Sequence, residues 1–507
     1  MIKKLFTAVS ICVFSTISVS AQEIMLDSVS EKSLGGIHTD QHGQFIYIQH
    51  LVENPTGNDS NLVVIGIYDI GLMPMKRIEY PVGPTTSVAA MAFNGQFFLT
   101  ILADPANKTR TTLLIDREGN VMKKKDETGL RLALLQPDSY PDIFTSMTND
   151  FTVIYPIGEK KAGYELIAFD QELEPRVKKS FVPAEGSWIA QDIIMDMEKL
   201  YILRKEISAS GDKISYSIQQ VNSHTGETQS TVDLRGEGNL IMPRYVKLLP
   251  GEIMTGGTFT RNDATSAASG LFINRIDASG KSMMHLVPWE MLKQSVKGDI
   301  SSALASGKTN VFIEDYMLKP NNEGFILIGQ AYNRTTDNGS ARIKTGDILL
   351  FHLNHEGVPQ RIDKIEVKPK EAIVKGNVTN ESDHAINSWL AGRNFFSYSG
   401  FTNIGGQNLI AYTANADNHT KAYFTQIDSI KNDQIQGMDI DRIASLNGET
   451  EKNKNQSTSP VIYTYNTRYT PETSQGIIMG RDERAIFYDY QKPKLAIWFH
   501  PISAQPR

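Results

Sequence analysis

The chain has 507 residues, a formal net charge of −6 at pH 7 and a single cysteine. An acidic balance argues against a nucleic-acid-binding protein, which would show a basic surface. One cysteine excludes an internal disulfide framework, so a domain of this length must be held together by its core.

The first residues predict an export signal. Lys3 and Lys4 form a short positive region, an apolar run follows over Leu5–Val19, and the small residues Val19-Ser20-Ala21 suit cleavage near Ala21. The run is too short for a transmembrane anchor, and no later segment is apolar enough to span a bilayer. Residues 1–21, which contain Cys12, are therefore expected to be removed. We expect a periplasmic, secreted or cell-surface protein without a membrane span.

Eight times along the chain an apolar strand runs into an Asp or Asn, then a short polar turn and another strand. The intervals are about 50 to 75 residues, a period typical of repeat architectures. The eight polar residues are Asp69, Asp116, Asp170, Asn222, Asp277, Asn354, Asp428 and Asp489. A second turn, formed by Gly, Asn or Asp, precedes each unit and leads into another strand. Each repeat therefore predicts four short strands, A to D.

Four antiparallel strands repeated around a ring make a β-propeller. We predict an all-β fold with one propeller domain over residues 22–507, built from eight four-stranded blades, with seven blades as the alternative. In the first blade the predicted strands are Gly36–Asp40, Phe45–Gln49, Leu62–Asp69 and Lys76–Pro81. The segment Ile24-Met25-Leu26 can close the ring by pairing with the last blade.

Insertions are predicted in the later repeats. Apolar residues from Trp289 to Leu304 recur at helical spacing, which predicts one helical insertion at about 288–306. The polar segments Lys368–Arg393 and Asn447–Ser459 are interpreted as loops. The B–C connections, especially Val52–Asn61 and Tyr332–Thr345, are long and variable, and binding usually resides in such loops on a rigid scaffold.

The inner A strands of a propeller face its central channel. Their predicted polar residues are His38, Asp40, Gln191, Arg244, Tyr245, Glu314, Asp315, Tyr316, Tyr398 and Tyr463. The predicted ligand-binding set takes most of these residues and adds Tyr332 from its loop. Its members are His38, Asp40, Arg244, Tyr245, Tyr316, Tyr332, Tyr398 and Tyr463. Glu314, Asp315 and His38 are the candidates for acid–base catalysis, because carboxylates and a histidine can transfer protons. The alternative is that polar side chains merely line a wet channel.

No metal or cofactor is predicted. His38 and Asp40 would supply only two ligands, too few for a metal site. The zinc-protease helix signature, the nucleophile elbow and the dinucleotide glycine fingerprint are absent from the sequence.

The signal peptide and the repeat rhythm over residues 30–502 resemble the exported β-propeller-like proteins of unknown function common in Bacteroidota. The blade motifs of WD-repeat, kelch and sialidase propellers are missing, so the resemblance assigns no functional residue. We expect a non-catalytic binding or scaffold protein that takes a polar ligand, a glycan or an envelope protein, through the B–C loop face and the channel. The alternative function is a glycan-active hydrolase or lyase that uses the axial carboxylates.

Overall fold

A computed structural model gives the fold. It describes residues 23–27, 29–39, 45–52, 60–135, 141–145, 150–157, 163–170, 172–211, 213–261, 267–319, 323–337, 339–376, 378, 381–404, 407–416, 419–427, 434–440, 443, 461–464, 473–479, 484–491 and 493–501.

The described residues form mostly strands. The strands of the first half are β1 Glu23–Leu26, β2 Val29–Thr39, β3 Phe45–Val52, β4 Asn61–Asp69, β5 Pro74–Val82, β6 Ser87–Phe93, β7 Phe97–Asp104, β8 Thr109–Asp116, β9 Val121–Glu127, β10 Asp142–Thr145, β11 Phe151–Ile157, β12 Gly163–Phe169, β13 Pro175–Phe181, β14 Ser187–Asp196, β15 Lys199–Ile207, β16 Ile214–Asn222 and β17 Thr228–Asp233. Those of the second half are β18 Leu240–Leu249, β19 Glu252–Thr260, β20 Gly270–Asp277, β21 Ser282–Pro288, β22 Asn310–Leu318, β23 Phe325–Asp337, β24 Ser340–Leu353, β25 Pro359–Ile365, β26 Glu371–Lys375, β27 Tyr398–Ile404, β28 Gln407–Ala416, β29 His419–Gln426, β30 Gln434–Asp439, β31 Val461–Thr464, β32 Thr473–Met479, β33 Arg484–Gln491 and β34 Lys494–Pro501. The helices are α1 Trp289–Ser295, α2 Asp299–Ala305, α3 Asp383–Ala391 and a 3-10 turn at Leu132–Leu135.

Within the described ranges the strands pair into eight sheets, which are the blades of a β-propeller. Blades one to seven are β2–β5, β6–β9, β10–β13, β14–β17, β18–β21, β22–β25 and β27–β30, and blade eight is β32–β34 with β1. First strands of neighbouring blades, such as β2 and β6 or β27 and β32, contact each other and form the inner ring. The all-β, eight-bladed prediction is confirmed.

The ring is closed by the N-terminal strand. β1 pairs antiparallel with β34, with Ile24 opposite Ile497 and Leu26 opposite Leu495. The pairing with the last blade agrees with the prediction, and β1 is the outer strand of blade eight. The pairing covers the edge of β34 and joins the two ends of the described chain in one blade.

Six of the eight repeated Asp and Asn residues cap hairpin turns, and Asp428 lies outside the described residues. The carboxylate of Asp69 accepts hydrogen bonds from the N–H groups of Gly71 and Met73, both at 2.8 Å. Asn354 accepts from the N–H groups of Glu356 and Val358 at 3.0 and 2.8 Å. A short side-chain acceptor after a C strand satisfies turn amides that the ladder leaves unpaired, which explains why the residue recurs.

Aromatic and aliphatic side chains fill the spaces between blades. Between blades one and two, the ring of Tyr47 lies 4.4 Å from that of Phe93 and 5.0 Å from that of Phe98. Tyr47 and Phe98 are almost fully buried. Neighbouring sheets thus bury the faces that a single sheet would leave exposed.

The insertions differ from prediction in three respects. The helical insertion is confirmed but consists of two short helices, α1 and α2, separated at Val296–Gly298. Lys368–Arg393 is not a loop, because it contains β26 and α3. Tyr332–Thr345 is not a loop either: it is the end of the long β23–β24 hairpin, in which Tyr332 pairs with Thr345 and Asp337 with Ser340. Asn447–Ser459 and residues 53–59 of the first predicted loop lie outside the described residues.

The predicted assignment of strands to the last blade is wrong, because it is shifted by one strand. Tyr463 does not lie on an inner strand, because β31 pairs in parallel with β26 as an extension of sheet six, with Val374 opposite Tyr463. The first strand of blade eight is β32, and Asp489 lies within β33 rather than at a C–D turn. Asp489 is buried and accepts a hydrogen bond from the Ile443 N–H at 2.6 Å. Across the part of the chain that the structure describes, no helix is long and apolar enough to cross a membrane.

Candidate functional site

Backbone bulges on three consecutive inner strands present polar side chains. The ladder register shifts between Ala190 and Asp192 in β14, which leaves Gln191 as the extra residue. The shift in β18 leaves Arg244 and Tyr245 unpaired, and that in β22 leaves Glu314 unpaired. A bulge re-aims a side chain and is common beside functional sites. Blades four, five and six thus each present a polar residue that the sequence places on the inner ring.

Each of these three residues has a buried polar atom without a hydrogen-bond partner among the described residues. The atoms are Gln191 Oε1, Arg244 Nε and Glu314 Oε1. The other end of the Gln191 amide is fixed, since Nε2 donates to the Pro243 carbonyl at 3.0 Å. Buried polar groups are nearly always hydrogen-bonded, so three such atoms on neighbouring strands need an explanation.

Helix α3 lies over this part of the ring. Ser382 caps the helix, its hydroxyl accepting from the Ala385 N–H at 3.1 Å. His384 in the first turn lies 3.5 Å from Gln191 of blade four, measured between Nε2 atoms, and its ring lies 6.2 Å from that of Phe312 of blade six. We call Gln191, Arg244, Glu314 and His384 the roofed cluster.

The segment that contains α3 reaches the opposite side of the ring. Beyond the helix, the Asn394 side chain hydrogen-bonds the hydroxyl of Tyr488 in β33. A Cβ atom on Gly476 of the inner strand β32 would lie 2.6 Å from that hydroxyl, so Tyr488 reaches over the inner ring. Blades four and eight are opposite in an eight-bladed ring. Residues 381–396 therefore cross the channel on the face of the B–C and D–A connections.

A buried ion pair and its neighbours hold this segment down. Arg334 Nη1 in the β23–β24 hairpin donates to Asp383 Oδ1 at 2.6 Å and to the Glu381 carbonyl at 3.0 Å. The Tyr332 hydroxyl donates to Asp383 Oδ2 at 2.7 Å. Ile343 of the same hairpin packs with Ile386 and other apolar residues of α3. The hairpin extension is thus a support for the helix.

At the roofed cluster, two cations lie near a carboxylic acid that is mostly uncharged. Burial raises the pKa of Glu314 to about 8, against the opposing charges of Arg244 and Lys370, so Glu314 is mostly uncharged at neutral pH. Burial also lowers the pKa of Lys370 to about 8, against the pull of Glu314, which leaves it mostly charged at pH 7. Arg244 remains a cation. Two carboxylates offset part of this positive charge, since Asp192 lies within electrostatic range of Arg244 and Asp315 within that of Glu314.

His384 is held neutral. Burial, together with the charges of Arg244 and Lys205, lowers its pKa to about 3. A neutral imidazole beside two cations can donate one hydrogen bond and accept another without adding charge.

Asp315 takes a structural position. It accepts hydrogen bonds from the hydroxyls of Tyr245 and Tyr398, the ammonium of Lys247 and the N–H of Tyr316. Tyr245 and Lys247 lie on the inner strand of blade five, Tyr316 on that of blade six and Tyr398 on that of blade seven. The carboxylate, with 13% of its side chain exposed, therefore ties three blades together and has few lone pairs left for a ligand.

The remaining candidates are dispersed. Tyr316 is fully buried, stacks on Tyr245 with ring centres 5.0 Å apart, and donates its hydroxyl to the Tyr245 carbonyl at 2.5 Å. Tyr332 is buried under α3, so its ring offers no exposed stacking surface. His38 lies in β2, but its side chain and all of Asp40 fall outside the described residues. Tyr463 lies on β31, in the extension of sheet six.

Sequence reasoning missed His384, Lys205 and Lys370. The signal for His384 was present: Ser382 before Asp383, with Ile386 and Leu390 at helical spacing, is typical of a capped amphipathic helix. No local sequence pattern indicates Lys205 or Lys370 as part of the site. They come together only because the closed ring brings β15 and the start of β26 to the same face of the propeller. Within the described ranges no group of three or more His, Cys, Asp or Glu residues could hold a metal ion.

No protein-family model matches the chain, and no curated protein is significantly similar to it in sequence. Several solved structures are similar in fold. The polysaccharide lyase Uly1 is 12% identical, with 92% of this chain and 90% of that chain covered and a TM-score of 0.38. An ulvan lyase with a bound saccharide is 10% identical (81% and 98% covered, TM-score 0.38), and an α-L-arabinofuranosidase from Fusarium graminearum is 7% identical (72% and 93% covered, TM-score 0.35). At these values the similarity concerns architecture, and none of these structures assigns a residue or a reaction to this chain.

Proposed function

We propose that this protein is an exported β-propeller that binds a polar, anionic ligand, in the first instance an acidic saccharide, at the roofed cluster. The observation that carries the proposal is the set of unpartnered buried atoms on Gln191, Arg244 and Glu314. A guanidinium group that lacks a partner suits a carboxylate or sulfate, which it can bind through two parallel hydrogen bonds. The amide oxygen and the protonated Glu314 suit hydroxyl groups of the same ligand.

The test compares ligands that differ only in charge. Galacturonate oligomers and the same oligomers with methyl-esterified carboxylates are titrated calorimetrically into the purified protein. We expect the acidic oligomers to bind and the esterified ones to bind at least tenfold more weakly, because a lost charge-assisted hydrogen bond costs about that factor. Arg244→Met should abolish the difference, whereas Arg235→Gln, an exposed arginine on the outside of blade four, should not. Equal binding of both oligomers would refute the proposal.

A second function is favoured by one specific observation. The pKa values of Glu314 and Lys370 both lie at about 8, so near neutral pH a carboxylic acid and a partly neutral amine occur near each other. Such a pair suits general acid–base catalysis, and this is the form in which a glycan-active hydrolase or lyase remains a candidate. Incubation of the same oligomers with detection of new reducing ends and unsaturated products tests it. Turnover that Glu314→Gln abolishes would replace the binding-only function.

The exported location is part of the proposal and rests on residues 1–21 of the sequence. N-terminal sequencing of protein recovered from the cell envelope tests it, with Gln22 as the expected first residue.

A further inference from the structure

A cavity opens between blades six and seven, on the face of the propeller opposite the roofed cluster. It has a volume of about 520 Å³, within the range of sites for small molecules. Met317 and Ile326 of blade six and Ile427 of blade seven form its apolar floor. The cavity shares no residue with the roofed cluster. On β22, the cavity residue Met317 lies beyond Glu314, toward the opposite end of the strand.

Two cations stand at the wall of this cavity. Lys319 follows β22 directly, and Arg361 lies near the start of β25. The described residues give Lys319 no ion-pair partner, whereas Arg361 Nε lies 2.9 Å from Asp363 Oδ2. The Arg361 side chain is half exposed, and its two terminal nitrogens remain available to a ligand. Burial and the charge of Arg361 lower the pKa of Lys319, against the opposing charge of Glu323, and an anion between the two cations would reduce their repulsion further.

The position of Lys319 is fixed by the backbone. Its N–H donates to the Gly324 carbonyl at 2.9 Å and closes the A–B turn of blade six. Gly324 has a φ of 133°, and a Cβ atom there would lie 2.1 Å from the Leu353 carbonyl oxygen. Only glycine allows this approach, which brings Lys319 beside the end of β24.

Polar groups complete the cavity wall. His352 is almost fully buried, and its Nε2 atom lies 2.8 Å from Asp363 Oδ2 without hydrogen-bond geometry; Arg361 Nε lies 2.9 Å from the same oxygen. Asn354 and Gln360 supply amide groups. The acidic side chain in the wall is Glu323, which is exposed at the rim, where it can turn to water.

We propose that this cavity is a second binding site, for a small organic anion whose charged group lies between Lys319 and Arg361 and whose less polar side packs on Met317, Ile326 and Ile427. The inference is independent of the proposed function, since the two sites share no residue and lie on opposite faces. It predicts that each site can be inactivated without the other.

The test uses glucuronate as the probe, glucose as its uncharged counterpart and inorganic phosphate as a bare anion, at low ionic strength. We expect saturable binding of glucuronate by calorimetry and weaker binding of glucose by at least about tenfold. Phosphate should compete with glucuronate. In an Arg244→Met background, which removes binding of the acid at the roofed cluster, Lys319→Met should lower glucuronate affinity by a similar factor, whereas Arg235→Gln, at an exposed arginine, should leave it unchanged.

A second readout does not depend on affinity. Acetylation of lysines by a water-soluble ester, followed by peptide mass spectrometry, should show that glucuronate protects Lys319 but not Lys213, an exposed residue of blade four. The proposal is overturned if glucose binds as well as glucuronate, if Lys319→Met binds glucuronate normally, or if neither binding nor protection is saturable.

Discussion

His384 lies 3.5 Å from Gln191, although 193 residues separate them in the chain. The contact joins the helix that follows blade six to the inner strand of blade four. Because the same segment continues to Tyr488 of blade eight, it spans the channel from one side to the other. A ligand of the roofed cluster must therefore enter from the opposite face or displace this segment.

The anchoring of the segment is tested at Arg334. Arg334→Met removes the ion pair with Asp383, whose two side chains are 12% and 18% exposed, and leaves a buried carboxylate with one fewer donor. Breaking such a pair costs about 3–5 kcal/mol. We expect faster amide hydrogen exchange over residues 381–396 and a lower Tm. Arg342→Gln, which breaks the more exposed pair with Glu371 in the same hairpin, is the control and should change neither strongly. Unchanged exchange in Arg334→Met would show that the pair does not hold the segment.

Asp315 should matter for stability more than for binding. Asp315→Asn keeps the shape but removes the charge that accepts from Lys247 and from the two tyrosine hydroxyls. A hydrogen bond to a charged group contributes about 1.5–3 kcal/mol, so we expect a clear fall in Tm. Asp233→Asn, at an exposed ion pair in the outer strand of blade four, is the matched control. If Asp315→Asn keeps the wild-type Tm and loses ligand, the carboxylate belongs to the binding site instead.

Glu314 predicts a pH dependence of stability. Its pKa is about 8 in the folded protein and 4.5 ordinarily, so the folded state holds a proton that the unfolded state releases between these values. This contribution to stability is fully present below pH 4.5 and is lost as the pH rises through about 8. Lys370, whose pKa falls to about 8, has the opposite effect above that pH.

The measurement is the Tm of the wild type and of Glu314→Gln from pH 5 to 8. We expect the Tm of the variant to rise relative to that of the wild type as the pH increases, because a neutral amide has no proton to lose. Glu118→Gln, at an exposed turn of blade two, is the control. A Tm difference between Glu314→Gln and wild type that stays constant with pH would contradict the raised pKa.

The closure of the ring is tested by deletion. A chain that begins at Val29 lacks β1 and exposes the edge of β34, whereas one that begins at Gln22 keeps both. We expect the shorter chain to have a lower Tm and to aggregate on heating, since an unpaired strand edge is a template for association. Equal Tm values and equal light scattering would show that β1 is dispensable.

Part of the candidate site was predictable from the sequence. Alternating apolar residues and turn residues placed Gln191, Arg244 and Glu314 on inner strands, and their polar character in that position singled them out. The bulges that leave them unpaired carry no comparable local signature, because a register shift depends on both strands of a pair. Asp315 and Glu314 are adjacent in the sequence, yet one is saturated by four donors and the other keeps an unpartnered oxygen.

The sequence by itself determined the eightfold repeat, the positions of most strands and the role of the N-terminal strand, because strand alternation and turn chemistry are local properties. Only the tertiary structure decided that Tyr463 leaves blade eight for the extension of sheet six, that Tyr332–Thr345 is a paired hairpin and that α3 crosses the channel. These features depend on pairing and packing between residues far apart in the chain. Such contacts form only when the closed ring brings their partners together, so no local pattern specifies them.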